Sequence, residues 1–107
     1  MATRPEVVER FHQALAPAGP VSIKKMFGEA AVYWEDKVVA LICDNRLFVK
    51  ASPASAKYLG DEHLHPPYPG GKPALLVPEE REKDEEWLRE WLRETAEHVQ
   101  PPKKRRT

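Results

Sequence analysis

One cysteine, Cys43, in a chain of 107 residues excludes an intramolecular disulfide framework and a Cys-rich zinc site. No apolar run approaches the ~18 residues that span a bilayer. Met1–Glu6 lacks the apolar core of a signal peptide, so the chain reads as cytosolic. Charge of one sign is not in excess: Lys plus Arg and Asp plus Glu number 17 each. That excludes coating nucleic acid by net charge alone. There is no glycine-rich phosphate loop, no G-x-S-x-G and no C-x-x-C, and no cofactor is implied. Folding a chain of this size buries roughly two-thirds of its unfolded surface, enough for one modest core and no second catalytic lobe.

What is present is one small α+β domain over residues 1–100 and a basic tail over 101–107. Eleven prolines fall between the periodic segments rather than inside them, as short stiff connections would. Thr3 and Glu6 have the spacing of a capping box ahead of an amphipathic helix over 4–15, with Val8, Phe11 and Leu15 on its apolar face. Pro17, Gly19 and Pro20 end it. Three strands follow at about 30–34, 38–43 and 46–50, with turns at Glu35-Asp36 and Asp44-Asn45; the second pair tolerates left-handed backbone. Ser52-Pro53 opens a short helix that Gly60 closes by positive φ. Residues 63–73 form a rigid Pro- and Gly-rich excursion around a short strand, and 74–77 form another. Asp84 caps a last helix whose Leu88, Trp91, Leu92, Thr95 and Val99 are its buried stripe, with Trp87 beside it.

If both hairpins use even-length turns, the meander sorts into two faces. Ala31, Tyr33, Val38, Ala40, Ile42, Leu47 and Val49 share one. Val32, Trp34, Val39, Leu41, Cys43 and Phe48 share the other, with Lys37, Arg46 and Lys50 at its margin. Both faces are apolar, whereas a two-layer domain normally wets one of them. Leaving apolar area wet costs roughly 25 cal/mol per Å². Either a second copy of the chain covers the second face or the terminal helices wrap around both sides. Val39, Leu41, Phe48, Arg46 and Lys50 are therefore the expected interaction surface, for a protein partner or a homodimer.

Residues capable of chemistry are few. Cys43 has no adjacent base and reads as a small buried hydrophobe. His63-x-His65 could present two imidazoles on one side of a strand, but nothing spaced nearby suggests a third metal ligand. The acidic stretch 79–86 reads as a solvated helix start, and Glu86, Arg89, Glu90 and Arg93 as ordinary helix-surface charges. Lys103, Lys104, Arg105 and Arg106 could neutralise about four phosphates, a weak and salt-sensitive nucleic-acid contact.

Lys24-Lys25-Met26-Phe27-Gly28, Val39 to Asp44, Arg46 to Lys50 and the Pro66 to Leu76 run come in the order seen in the TfoX amino-terminal domain family, which the chain resembles over roughly 20–99. The resemblance implies a two-layer α-β(3)-α-β(2)-α fold with a five-stranded antiparallel sheet. It also implies association with regulators of competence for DNA uptake. Full-length TfoX (Sxy) regulators add a carboxy-terminal helical domain, so the chain is expected to be a stand-alone amino-terminal domain. Where the family carries an Asp-Gly turn, this sequence has Glu35-Asp36-Lys37, so the first hairpin is expected to be longer or bulged. In Lys25, Met26, Phe27 and Gly28, Phe27 is expected to plug the core and Gly28 to permit an unusual backbone angle.

The leading expectation is a non-enzymatic regulatory or interaction domain. The alternatives are a nucleic-acid-associated factor using the tail and the Lys24-Lys25 region, and a small-ligand-binding protein or enzyme with a site near the Pro-rich loop.

Overall fold

Apolar spacing of 3.6 at the two ends of the chain and of 2 in its middle separates two helices from a sheet. The structure, a computed structural model, describes residues 3–26, 29–53, 57–67 and 69–99, with Met26 by its backbone only. Among these residues the order is α1 (Pro5–Leu15), β1 (Val21–Met26), β2 (Glu29–Trp34), β3 (Lys37–Cys43), β4 (Arg46–Val49), β5 (Leu64–His65), β6 (Ala74–Leu76) and α2 (Glu85–His98). The strands form one antiparallel sheet of six in the order β1-β2-β3-β4-β6-β5.

The expected α+β class and antiparallel sheet hold, but the sheet has six strands where five were expected. The addition is β1, a half-exposed edge strand in which Val21 and Ile23 alternate with Ser22, Lys24 and Lys25. Two apolar residues are too short a period to stand out against the prolines before them. The short helix expected after Ser52-Pro53 includes residues 54–56, which lie outside the described residues. Gly60 does not close it by positive φ, since its φ is −82°.

Both hairpins turn on two residues. Asp44 and Asn45 take φ of 51° and 63°, the left-handed pair that a two-residue turn between twisted strands requires. In the first hairpin Glu35 alone takes positive φ, 57°, and Trp34 pairs with Lys37. The bulge anticipated there lies within β3, because Val32 opposes Ala40 while Tyr33 opposes Val38. Val39 is the extra residue.

That bulge corrects the expected faces. Beyond it the alternation holds: Ala40, Ile42, Leu47 and Val49 join the main core, and Leu41, Cys43 and Phe48 form a second cluster with Ala74 and Leu76. Before it the assignment reverses. Ala30, Val32 and Val39 belong to the main core, and Lys37 donates to the Ala96 carbonyl of α2. Val39 is 0 % exposed, so it is no part of an outer surface.

Both helices pack into the same core cluster, so they lie on one side of the sheet and do not wrap it. Val7, Val8, Phe11 and Leu15 of α1 meet Leu88, Trp91, Leu92 and Ala96 of α2 there. Asp84 caps α2 as expected, its Oδ1 accepting from the Trp87 N–H at 3.2 Å. Thr3 does not cap α1. Helix α1 begins at Pro5, so Arg4 holds the cap position without a side-chain bond. The Thr3 hydroxyl instead donates to Glu29 and accepts from the Asn45 N–H at 3.3 Å, tying the start of the chain to the second turn.

Two arginines read as surface charges close the end of α1 and the 3-10 turn Ala16–Ala18 that follows it. Arg89 Nε donates to the Ala14 carbonyl at 2.6 Å and Arg93 Nε to Ala18 at 3.3 Å. A helix end leaves such carbonyls without intrahelical partners and carries the negative end of the dipole, so guanidinium donors suit it. Gly19 follows, and a Cβ there would lie 2.4 Å from the Trp34 ring, so any larger residue would have to displace that indole.

Candidate functional site

On the face away from the helices, Ala31, Leu41, Phe48 and Leu76 stand opposite one another in register across β2, β3, β4 and β6. This row is apolar from end to end and tapers toward Ala31, whose side chain is one methyl group. In the connection from β5 to β6, Pro67 and Gly70 to Pro73 lie over it. Prolines fix φ along that connection, and Gly70 supplies the left-handed turn at φ 83°. Between sheet and loop lies a groove of about 570 Å³. Ala31, Val38, Leu41, Phe48 and Ala74 line it from the sheet, and Pro67, Gly70, Gly71 and Pro73 line it from the loop. Lys50 and Lys72 border the same space.

The groove has a one-sided chemistry. Among its described lining residues there is no carboxylate, imidazole, thiol or hydroxyl, and both charged groups are ammoniums. It can hold apolar surface and meet an anion. Its described lining residues offer no group to shuttle a proton near neutrality.

Of the expected surface, the structure brings Leu41, Phe48 and Lys50 together. Val39 is in the core, and Arg46 is committed elsewhere: its Nε lies 3.1 Å from Glu82 and its Nη2 donates to the Val77 carbonyl at 2.7 Å. Lys72, Pro67 and Gly70 complete the groove. Their segment stood out in the sequence as the Pro- and Gly-rich run, but nothing there showed which part of the sheet it would cover.

His63 is half-buried with Nε2 3.8 Å from Glu62, and His65 is exposed on β5. The described residues contain no group of three His, Cys, Asp or Glu placed to hold a metal. Lys24 and Lys25 are exposed on β1. The Met26 side chain, Phe27, Gly28, Tyr68 and Lys103 to Arg106 lie outside the described residues. The acidic stretch is not wholly solvated, because Glu82 is nearly buried between two arginines.

The perturbed titratable groups sit away from the groove's lining. Burial, then the charges of Glu29 and Asp44, push the Cys43 thiol up to about 11. That keeps it protonated and poorly nucleophilic at neutral pH. On the helix side Tyr58 stacks on Trp91 with ring centroids 5.6 Å apart and meets Trp87 edge-on at 6.0 Å. Its hydroxyl donates to Glu94, which also accepts from Lys57 Nζ at 2.9 Å. Burial, then the bond to Glu94, push the Tyr58 phenol up to about 12, and the bonds from Tyr58 and Lys57 hold Glu94 below its ordinary range.

The two shifts act at opposite ends of the pH scale. The folded state holds the phenolic proton more tightly than the unfolded one, so its stabilisation is complete below the ordinary value of 10.0 and is lost as pH rises through about 12. Glu94 contributes above the ordinary carboxylate value and loses that contribution as pH falls through its depressed one. Tyr58→Phe is expected to lower stability near neutrality by about 1 kcal/mol and to flatten the alkaline decline. Urea melts at stepped pH check this; an unchanged alkaline slope would refute the assignment to Tyr58.

An antiparallel sheet with both helices on one face, and a proline-walled groove on the other, defines a two-layer α+β domain with one open side. Residues 13–99 match the TfoX N-terminal domain family, and the chain belongs to it. It is also similar to an uncharacterised 12.7 kDa protein in the trpE 5′ region of Spirochaeta aurantia. The two are 35% identical over 92 residues, covering 83% of this chain and 79% of that protein. None of the helices described is long and apolar enough to cross a membrane.

Proposed function

We propose that this chain is a non-enzymatic regulatory domain that works by binding, with the groove on the outer sheet face as its contact surface for a protein partner. The observation that carries this reading is the groove's lining: apolar walls with two lysines, and no described group suited to acid, base or nucleophilic work. A concave, mostly apolar groove with a few convergent polar groups is a default binding-site candidate in a small domain. The shifted groups point the same way, since the Cys43 thiol is buried and Tyr58 and Glu94 satisfy each other. The family's association with regulators of DNA uptake fits a domain that acts through contacts rather than turnover.

A photo-crosslinking residue placed at Leu41 or Lys72, with exposed Glu97 on α2 as control, tests the reading in the native cell. The expected result is one discrete protein adduct from the groove positions and none from the control. Light scattering of the purified chain then tells whether that partner is a second copy. Equal labelling at all three positions, or none at any, would sink the proposal.

A further inference from the structure

We propose that the same groove takes an anionic amphiphile: a small ligand with an apolar chain or ring body and one carboxylate or phosphate head. This rests on the reading of the groove as a binding surface, not on the partner there being a protein.

Three features argue for such an occupant. The first is space. Ala31 and Ala74 on the sheet and the Gly70-Gly71 backbone in the loop leave room that larger side chains would fill, and the resulting 570 Å³ lies within the ~300–1,000 Å³ of small-ligand sites. The second is rigidity. Pro67 and Pro73 have φ fixed by their rings where they line the groove, so little ordering cost falls on those two walls when a ligand binds. The third is charge. Every charged side chain among the described lining residues, Lys50 and Lys72, is cationic. Lysine stems lie readily along apolar walls while their ammoniums stay in water. An acid headgroup therefore finds opposite charge at the rim while its body replaces water against Leu41 and Phe48. A cationic head meets like charge at Lys72.

The test titrates the full chain with decanoate, decyl phosphate, decanol and decylamine, each below its micelle concentration, while following backbone amide shifts by NMR. The expected result is saturable shifts at Leu41, Phe48 and Lys72 with one or both acids, which also identifies the headgroup. Decanol should bind about 3- to 5-fold more weakly, and decylamine should give no saturation. Lys72→Glu, at an exposed position, should weaken the acids by at least a similar factor and weaken decanol less than either acid.

Equal binding of decylamine, shifts confined to other surfaces, or no saturation with either acid would overturn the proposal. If the acids fail while Leu41 still crosslinks a protein, the amphiphile alone is refuted. If the acids bind and no adduct forms, the protein contact falls and the ligand site stands.

Discussion

Trp91→Ala is expected to leave the domain at the edge of unfolding. Trp91 is 0 % exposed and is the largest fully buried side chain. It lies on the buried stripe of α2 with Leu88 and Leu92, and its ring meets Tyr58 at 5.6 Å and Trp87 at 5.2 Å. Deleting a buried aromatic side chain costs about 3–5 kcal/mol, and aromatic pairs add roughly 0.5–1.5 kcal/mol beyond their area. Domains are stable by only about 5–15 kcal/mol, with small ones near the lower end. Trp91→Phe keeps a ring against Tyr58 and should lose far less. Urea unfolding followed by circular dichroism checks both, and an alanine variant with an unmoved midpoint would mean that α2 is not anchored through this residue.

The second large loss is expected from Glu82→Ala. Its side chain is 8 % exposed, yet its carboxylate reaches Arg10 of α1 at 3.2 Å and Arg46 of β4 at 3.1 Å. Arg46 continues to the Val77 carbonyl. One carboxylate thus joins the first helix, the fourth strand and the segment leading into α2. Breaking a fully buried pair costs about 3–5 kcal/mol and an exposed pair at most about 1 kcal/mol. Arg46 at 29 % exposure and Arg10 at 56 % place this cluster between those limits. The expected loss is about 2 kcal/mol for Glu82→Ala or Arg46→Ala, and under about 0.5 kcal/mol for Arg10→Ala. A double-mutant cycle on Glu82 and Arg46 should show coupling above about 0.5 kcal/mol, and additivity would refute the link.

The burial of Trp91 was legible in the sequence, but the ion pairs of Glu82 and the roles of Arg89 and Arg93 were not, for one physical reason. Glu82 sits in a run of exposed charges, and only the tertiary path of β4 and α1 brings arginines to it. Arg89 and Arg93 have the spacing of surface residues on α2, but the carbonyls they close, of α1 and of the 3-10 turn after it, lie 75 positions earlier in the chain. Local signals were legible where the chemistry is local. The Asp84 cap, the Asp44-Asn45 turn and the α2 stripe depend on neighbours a few residues away. Thr3 failed as a cap because Pro5 starts the helix one position too late for it. The groove was half legible: Leu41, Phe48 and the Pro- and Gly-rich run could be named separately, while their meeting depends on sheet order. Strand β1 was missed because its alternation rests on only two apolar residues, Val21 and Ile23, directly after a Pro- and Gly-rich stretch.

The extra residue in β3 bears on how relatives of this chain are to be aligned. Because the hairpin already closes on two residues, the surplus is not in the turn, where length differences are usually placed. A relative that pairs the same two strands without the bulge is shorter by one at Val39, and its gap belongs inside the strand. Placing the gap at Glu35-Asp36 instead would shift Lys37 and Val38 by one, setting core positions against groove positions.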